Sequence, residues 1–329
     1  MADEATPNLP AHRIPTDRDT NSPFWTETLP PLEEHTKRLF TEYAKIPEDK
    51  LQDHLEEARR KAWNDCPYPC IGLWLFLKLQ LRNNKEFDEA VWRTQRGENL
   101  VDFGCAVGQD LRSLVRLSFP LPPDVLHSTH PHHQLHKNAI QYHETIPTSN
   151  QLTTPQVHAG SPPQSLHGID LTSSFFSAGK SLFNDPHTPI TFLQANALSP
   201  PSTLPPSWRN NFTIITANYV QHCFSLQDQE TYAAFLLALL SGKSNDLIFG
   251  RTAGTTEGEA RREEMHKGQR LYRHTEASFV EFWTRVAAQH GRRARVETWV
   301  DEVPAFELRG EGMERFEPVK NLMYSIRFE

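Results

Sequence analysis

From Leu100 to the C-terminus, short apolar runs alternate with longer segments whose apolar residues recur at helical spacing. LVDF (100–103), LHGID (166–170), TFLQA (191–195), FTIITA (212–217), DLIFGR (246–251) and the stretches 293–300 and 322–328 have the continuous apolar, β-branched or aromatic character of buried strands. Helices are predicted from Asp110, over SSFFSAGKSLF (173–183), over DQETYAAFLLALL (228–240) and from Thr275 to His290. Such alternation predicts an α/β fold in which a mostly parallel sheet carries helices on both faces. TTEGEARREEMHKGQRLYRH (255–274) is read as a loop flanking the mouth of that sheet.

The upstream pattern is different. Between Pro31 and Trp63, apolar positions at helical spacing with dense charge between them predict two amphipathic helices, broken near Ile46-Pro47. The apolar PYPCIGLWLFLKL (67–79) is read as a further helix packing on the main domain. Residues 1–30, rich in Pro, Thr, Asp and Asn, are expected to be a disordered arm, 31–98 a helical cap and 99–329 the main domain.

LVDF runs into GCAVGQDL, a strand entering a glycine turn that opens a helix. In an open parallel sheet such a turn lies where ligands bind, and it usually has an acidic partner about twenty positions on, at the end of the next strand. No such strand follows directly. Instead the chain passes through Val115 to Gln156, rich in His, Pro, Ser and Thr and without apolar periodicity, a length of loop foreign to a compact domain. The segment is read as a disordered insert, with a translated intron as the hypothesis for its origin. Val115-Arg116 permits the codons GTACGT, Gln151-Leu152-Thr153 permits CAACTAACA and Gln156 permits CAG, which resemble donor, branch and acceptor sequences. Asp170 lies 170 − 102 = 68 positions after Asp102, and removing the 42 residues from 115 to 156 brings this to 26. Asp170 is then the missing acid. The histidines of HSTHPHHQLH (127–136) lie in this segment among prolines and lack the fixed surroundings of a metal site.

Composition narrows the partners. A formal charge of −7 over 329 residues offers no basic field for nucleic acid, and no apolar run reaches the length of about twenty residues needed to cross a bilayer. The N-terminus lacks the order of a signal peptide. A soluble cytoplasmic chain acting on a small molecule is expected; assembly as a homodimer is left open. Four cysteines, at 66, 70, 105 and 223, are too few for a disulfide framework and read as reduced, mostly buried thiols.

Only Gly104 and Gly108 are present in the turn, so it is not the full loop that admits a pyrophosphate. Asp102 at the end of the first strand, the two glycines, Asp170 with Leu171 after it, and Asn196 with Ala197 after TFLQA suit S-adenosylmethionine (SAM). Its amino-acid end would lie over the turn, its ribose hydroxyls against Asp170 and its adenine edge against Asn196 or the adjoining backbone. Asp110 reads as a first-turn acid of its helix, and Asn196 is equally able to hold a turn.

The ordered set PYPCIGLWLFL, VDFGCAVGQDLRSL, LHGIDL, ANAL, ANYVQHCFSLQDQE and DLIFGRTAG resembles the fungal class I methyltransferases of meroterpenoid pathways, the austinol and terretonin type, from about Lys61 to the C-terminus without the insert. The resemblance implies a Rossmann-like seven-stranded sheet with an N-terminal helical extension, and SAM-dependent esterification of a carboxylate on a polyketide-terpenoid intermediate. The missing third glycine is shared by the family's own variant of the turn. A carboxylate is already a nucleophile at neutral pH; a phenol would need a base, and His222 stands just past the fourth strand for that task. Arg251 is a candidate for pairing with an anionic acceptor, and Tyr219 for lining an apolar one; Trp74 reads as core. Two alternatives stay open: a nicotinamide-dependent oxidoreductase using Asp170 on a ribose, and a non-catalytic SAM-fold regulator of secondary metabolism.

Overall fold

The computed structural model of the chain describes residues 18–22, 24–115, 160–255, 262–266, 269–301 and 320–329. Five strands, β1 (Leu100–Phe103), β2 (Leu166–Asp170), β3 (Thr191–Gln194), β4 (Ile214–Asn218) and β5 (Leu247–Gly254), run parallel. A hairpin of β6 (Arg262–His266) and β7 (Gln269–Arg273) stands apart, and β8 (Ala294–Asp301) and β9 (Lys320–Phe328) complete the main sheet. The order is β3-β2-β1-β4-β5-β9-β8, with β9 antiparallel to both neighbours. Every strand expected from its apolar run is present. The order reverses between β1 and β4, which opens a crevice beyond their carboxyl ends.

The N-terminal cap consists of α1 (Glu34–Arg38), a π-helical turn at Leu39–Tyr43, α2 (Leu51–Asp65) and α3 (Pro69–Gly72). It packs on α6 (Ser174–Leu182), which follows β2, through Leu39, Phe40, Leu55, Trp63, Phe175, Leu182 and Phe183. The helices α4 (Phe87–Gln95) and α5 (Gln109–Val115) cover one face of the sheet, where Leu100, Ile214, Leu247 and Phe249 meet Phe87, Leu111 and Leu114. On the other face, α7 (Leu226–Leu239) and α8 (Glu276–Gln289) bury Val101, Ile215 and Ile248. Ser225 caps α7 by accepting the Asp228 N–H, and Thr275 and Ser278 form a capping box on α8. These local signals fix where each helix starts.

The structure departs from the sequence pattern in three places. Order begins before residue 30: Trp25 packs on Trp63 with ring centroids 5.2 Å apart, and the Thr26 N–H donates to the Gly72 carbonyl at 3.0 Å. The guanidinium of Arg59 lies between Trp25 and Trp74, at 3.5 and 4.0 Å from the ring centroids, which explains why a polar-looking leader is held. PYPCIGLWLFLKL is not one helix, because Trp74 takes a left-handed φ of 59° and separates α3 from a 3-10 turn at Leu75–Leu77. Third, part of the stretch read as loop pairs as the hairpin β6–β7, whose charged sequence hid its strands.

Residues 116–159 lie outside the described residues, and with them the histidine cluster and nearly all of the expected insert. The described ends on either side meet. Ser161 N–H donates to the Leu114 carbonyl at 3.0 Å, and a Cβ on Gly160 would stand 2.1 Å from the Val115 carbonyl oxygen. The chain therefore leaves and rejoins the domain at one point.

Candidate active site

The turn after β1 and the tip of β2 are bound together. Phe103 and Ile169 are register partners in adjacent parallel strands, and the Gly104 N–H donates to the Ile169 carbonyl at 2.8 Å. The Asp170 carboxylate accepts the Ala106 N–H at 2.8 Å and the Leu171 N–H at 2.7 Å. Burial raises the Asp170 carboxyl to about 6, although those backbone bonds pull the other way.

Three residues of the turn have positive φ: Gly104 at 76°, Ala106 at 47° and Gly108 at 70°. A Cβ on Gly104 would stand 2.4 Å from Val220 Cγ2, and one on Gly108 would stand 2.7 Å from an Arg112 nitrogen, so both positions need glycine for room as well as conformation. Ala106 occupies the place of the missing third glycine in a left-handed backbone. Its strain is held by the Asp170 bond, which fits the general placement of strained residues at functional sites.

Asp102 is buried below the turn and accepts the Thr216 hydroxyl at 2.8 Å; burial, then the nearby Asp110 charge, pushes it well above the carboxylate range. Asp110 is more than a first-turn acid. It accepts the Leu81 N–H at 3.1 Å, tying the segment before α4 to α5, and burial raises it to about 6. Around these acids, Gln109 Oε1, Asn218 Nδ2 and Arg251 Nε are buried without a hydrogen-bond partner among the described residues. Gln109 opens α5 directly after the turn, and Asn218, the last residue of β4, is the register partner of Arg251, which lies within β5 rather than at its end because the strand continues to Gly254. The spare Asn218 donor and the spare Gln109 acceptor, together with Asp102, match the carboxylate and ammonium of a zwitterionic amino-acid group. The residues present therefore fit the methionyl end of SAM.

On the far side of β2, the Asn196 side-chain oxygen accepts the Leu198 N–H at 3.0 Å, closing an Asx turn. Ala197 is buried in the core, and the Leu171 carbonyl accepts the Gln194 amide at 3.1 Å. The three residues thus line up along the β2 and β3 tips.

Of the remaining candidates, Tyr219 and His222 follow β4 and Arg251 lies within β5. Tyr219, at φ 56°, donates its N–H to the Arg251 carbonyl at 2.8 Å and its hydroxyl to Asn321, and its ring stands edge-on to His222 at 6.1 Å. His222 Nδ1 stands 3.3 Å from the Thr252 hydroxyl and 3.4 Å from the Ala253 N–H, an arrangement in which Nδ1 can accept from both, and Nε2 stands 3.7 Å from Cys223 Sγ. Burial lowers the His222 imidazole to about 3. Arg251 is 4% exposed, donates to the Gln80 carbonyl at 2.8 Å and lies 3.8 Å from Asp301. The cap reaches α6 beside the β2 tip: Tyr68 rests edge-on against Phe175 at 6.2 Å. Burial, with the Asp170 charge adding to it, raises the Tyr68 hydroxyl and the Cys66 and Cys70 thiols. All four cysteines are free thiols.

Residues 24–77 match the family model described as the meroterpenoid methyltransferase N-terminal domain. The chain is 28% identical over 283 residues to the methyltransferase trt5 of Aspergillus terreus, covering 84% of each. It is 25% identical over 269 residues to the asnovolin E/chermesin D methyltransferase nvfJ of Aspergillus novofumigatus, covering 82% of this chain and 81% of that one. Against the O-methyltransferase atr3 of Stereocaulon alpinum, identity is 26% over 273 residues, 82% of this chain and 67% of its relative. Fold, turn and relatives together define a class I SAM-dependent methyltransferase. More narrowly, it is similar to the fungal meroterpenoid methyltransferases, and the nicotinamide alternative falls away.

Sequence reasoning missed Ala106 as a left-handed residue, the spare atoms of Gln109 and Asn218, and the buried Arg112. The first had a signal, the gap where a third glycine belongs. The others depend on which strand tips become neighbours.

Proposed function

We propose that the protein transfers the methyl group of SAM to a carboxylate oxygen of a polyketide-terpenoid intermediate, forming a methyl ester. When bound, SAM supplies a methyl group on a sulfonium sulfur, and the C–S electron pair stays with sulfur as the acceptor oxygen takes the carbon. Asp170 would hold the ribose hydroxyls, the glycine turn with Asp102, Gln109 and Asn218 the amino-acid end, and Asn196 with Ala197 the adenine edge. Arg251 and Tyr219 would orient the acceptor, and the cap with Tyr68 would exclude water.

The carrying observation is His222. With Nδ1 between the Thr252 hydroxyl and the Ala253 N–H and the imidazole lowered to about 3 by burial, it is a poor proton acceptor at neutral pH. Such a site supports an acceptor that arrives already ionised, which a carboxylate does and a phenol does not. The relative named for asnovolin E and chermesin D supports a meroterpenoid acceptor.

Incubation with methyl-labelled SAM and candidate meroterpenoid acids tests this. Label released as methanol by mild alkali is the expected result. Alkali-stable label would place the methyl on a phenol or carbon and overturn the carboxylate reading.

A further inference from the structure

Arg112 is fully buried beneath the cofactor turn. One guanidinium nitrogen donates to the Val107 carbonyl at 2.8 Å and the Gly108 carbonyl at 3.3 Å, both within the turn. Its other nitrogens form a two-point pair with Asp185 at 2.7 and 2.9 Å. The loop between α6 and β3 carries Asp185, which also accepts the Tyr43 hydroxyl at 2.7 Å. Tyr43 belongs to the cap. A continuous chain of charged and polar bonds thus runs from the cap, through a buried ion pair, to two carbonyls of the turn.

The surroundings are shaped to keep this chain in place. A Cβ on Gly108 would stand 2.7 Å from the Arg112 nitrogen, and one on Gly179 of α6 would stand 2.2 Å from the Val107 carbonyl oxygen. Phe183 stacks on Phe40 of the cap at 5.1 Å and lies 4.7 Å from the guanidinium carbon. A guanidinium without its carboxylate would be left buried with an unmatched charge, so Asp185 determines where Arg112 can sit. Tyr43 in turn fixes the rotamer of Asp185.

We propose that Tyr43, Asp185 and Arg112 are positioning residues that couple seating of the cap to the shape of the cofactor turn, so that cap docking and donor binding favour each other. The proposal rests on the donor assignment above. None of the three touches the reacting atoms; they act through the Val107 and Gly108 carbonyls. Linkage makes the coupling reciprocal.

Calorimetry with S-adenosylhomocysteine on the full chain tests it. Tyr43→Phe keeps the ring and loses one hydrogen bond, and is expected to weaken binding about three- to tenfold. Asp185→Asn is expected to weaken it more, and the double variant no more than Asp185→Asn alone. Steady-state kinetics should show the Tyr43→Phe effect in the KM for SAM, with kcat within about twofold. His54→Ala is the control: it removes another cap bond, to the Leu182 carbonyl at 2.8 Å, without touching the chain. It should lower Tm and leave the affinity unchanged. Equal affinity in Tyr43→Phe and the unaltered chain, or an equal loss in His54→Ala, would overturn the coupling. No binding by the well-folded unaltered chain would overturn the donor assignment itself, and the coupling with it.

Discussion

The Asp170 carboxylate accepts the backbone N–H of Ala106 at 2.8 Å, so a side chain at the tip of β2 fixes the backbone of the turn after β1. The bond links the ends of two parallel neighbours. It also holds a non-glycine residue at a φ of 47°, a conformation that costs an L-residue about 1–2 kcal/mol.

The strain at Ala106 can be measured directly. Ala106→Gly relieves it but adds freedom to the unfolded chain, worth about 0.5–1 kcal/mol, so stability should stay within about 1 kcal/mol of the original. Ala106→Val puts a β-branched residue in the left-handed region and should cost about 2 kcal/mol or more. Urea denaturation distinguishes them; a valine variant of undiminished stability would mean that the turn has another backbone.

Asp170 also sets a pH dependence. Its folded value, about 6, is above the ordinary 3.8, so between these values the folded state binds the proton more tightly than the unfolded state does. Its contribution therefore becomes less favourable as pH rises from 3.8 through about 6, and levels off above. Unfolding free energies from pH 4 to 7 should fall less steeply, or rise more, in Asp170→Asn than in the original chain. Donor affinity runs oppositely, because a protonated carboxyl is a poorer acceptor for ribose hydroxyls. S-adenosylhomocysteine should bind more weakly at pH 5 than at pH 7.5.

Replacing His222 tests the base role. Loss of a general base typically costs 10² to 10⁴ in rate. An imidazole lowered to about 3 is not acting as that base, so His222→Gln should keep kcat within about tenfold. The pH profile of kcat/KM should show no His222 limb between pH 6 and 8. A thousandfold loss would restore the base role and a phenolic acceptor.

The segment at 115–156 yields a deletion test. Joining Leu114 to Val157 leaves residues 157–160 to connect Leu114 with Ser161, whose N–H and carbonyl already meet at 3.0 Å. Connections of this length are common between packed elements. The shortened chain should fold in higher yield or bind S-adenosylhomocysteine more tightly. An unchanged or lower value of both would count against the insert.

The sheet was legible because strands buried on both faces must be apolar, and DLIFGR, FTIITA and LVDF are. The hairpin β6–β7 was not, since REEMH and QRLYR are mostly charged and polar and show no apolar alternation. In the cap, Trp25 and Thr26 gave no warning of order, because their partners Trp63 and Gly72 are about forty positions away. Asp170 could be named as the acid of the second strand from its place after LHGI, but its bond to Ala106 could not be read from spacing.

By itself, the sequence determined the alternation of elements, the glycine turn and the acids at the strand ends. These depend on local periodicity, residue size and backbone freedom. Tertiary structure decided which buried polar atoms are left spare, what surrounds the His222 ring, and how Tyr43 reaches the turn through Asp185 and Arg112. Burial and long-range hydrogen bonds set those outcomes, and both arise only when distant segments pack together.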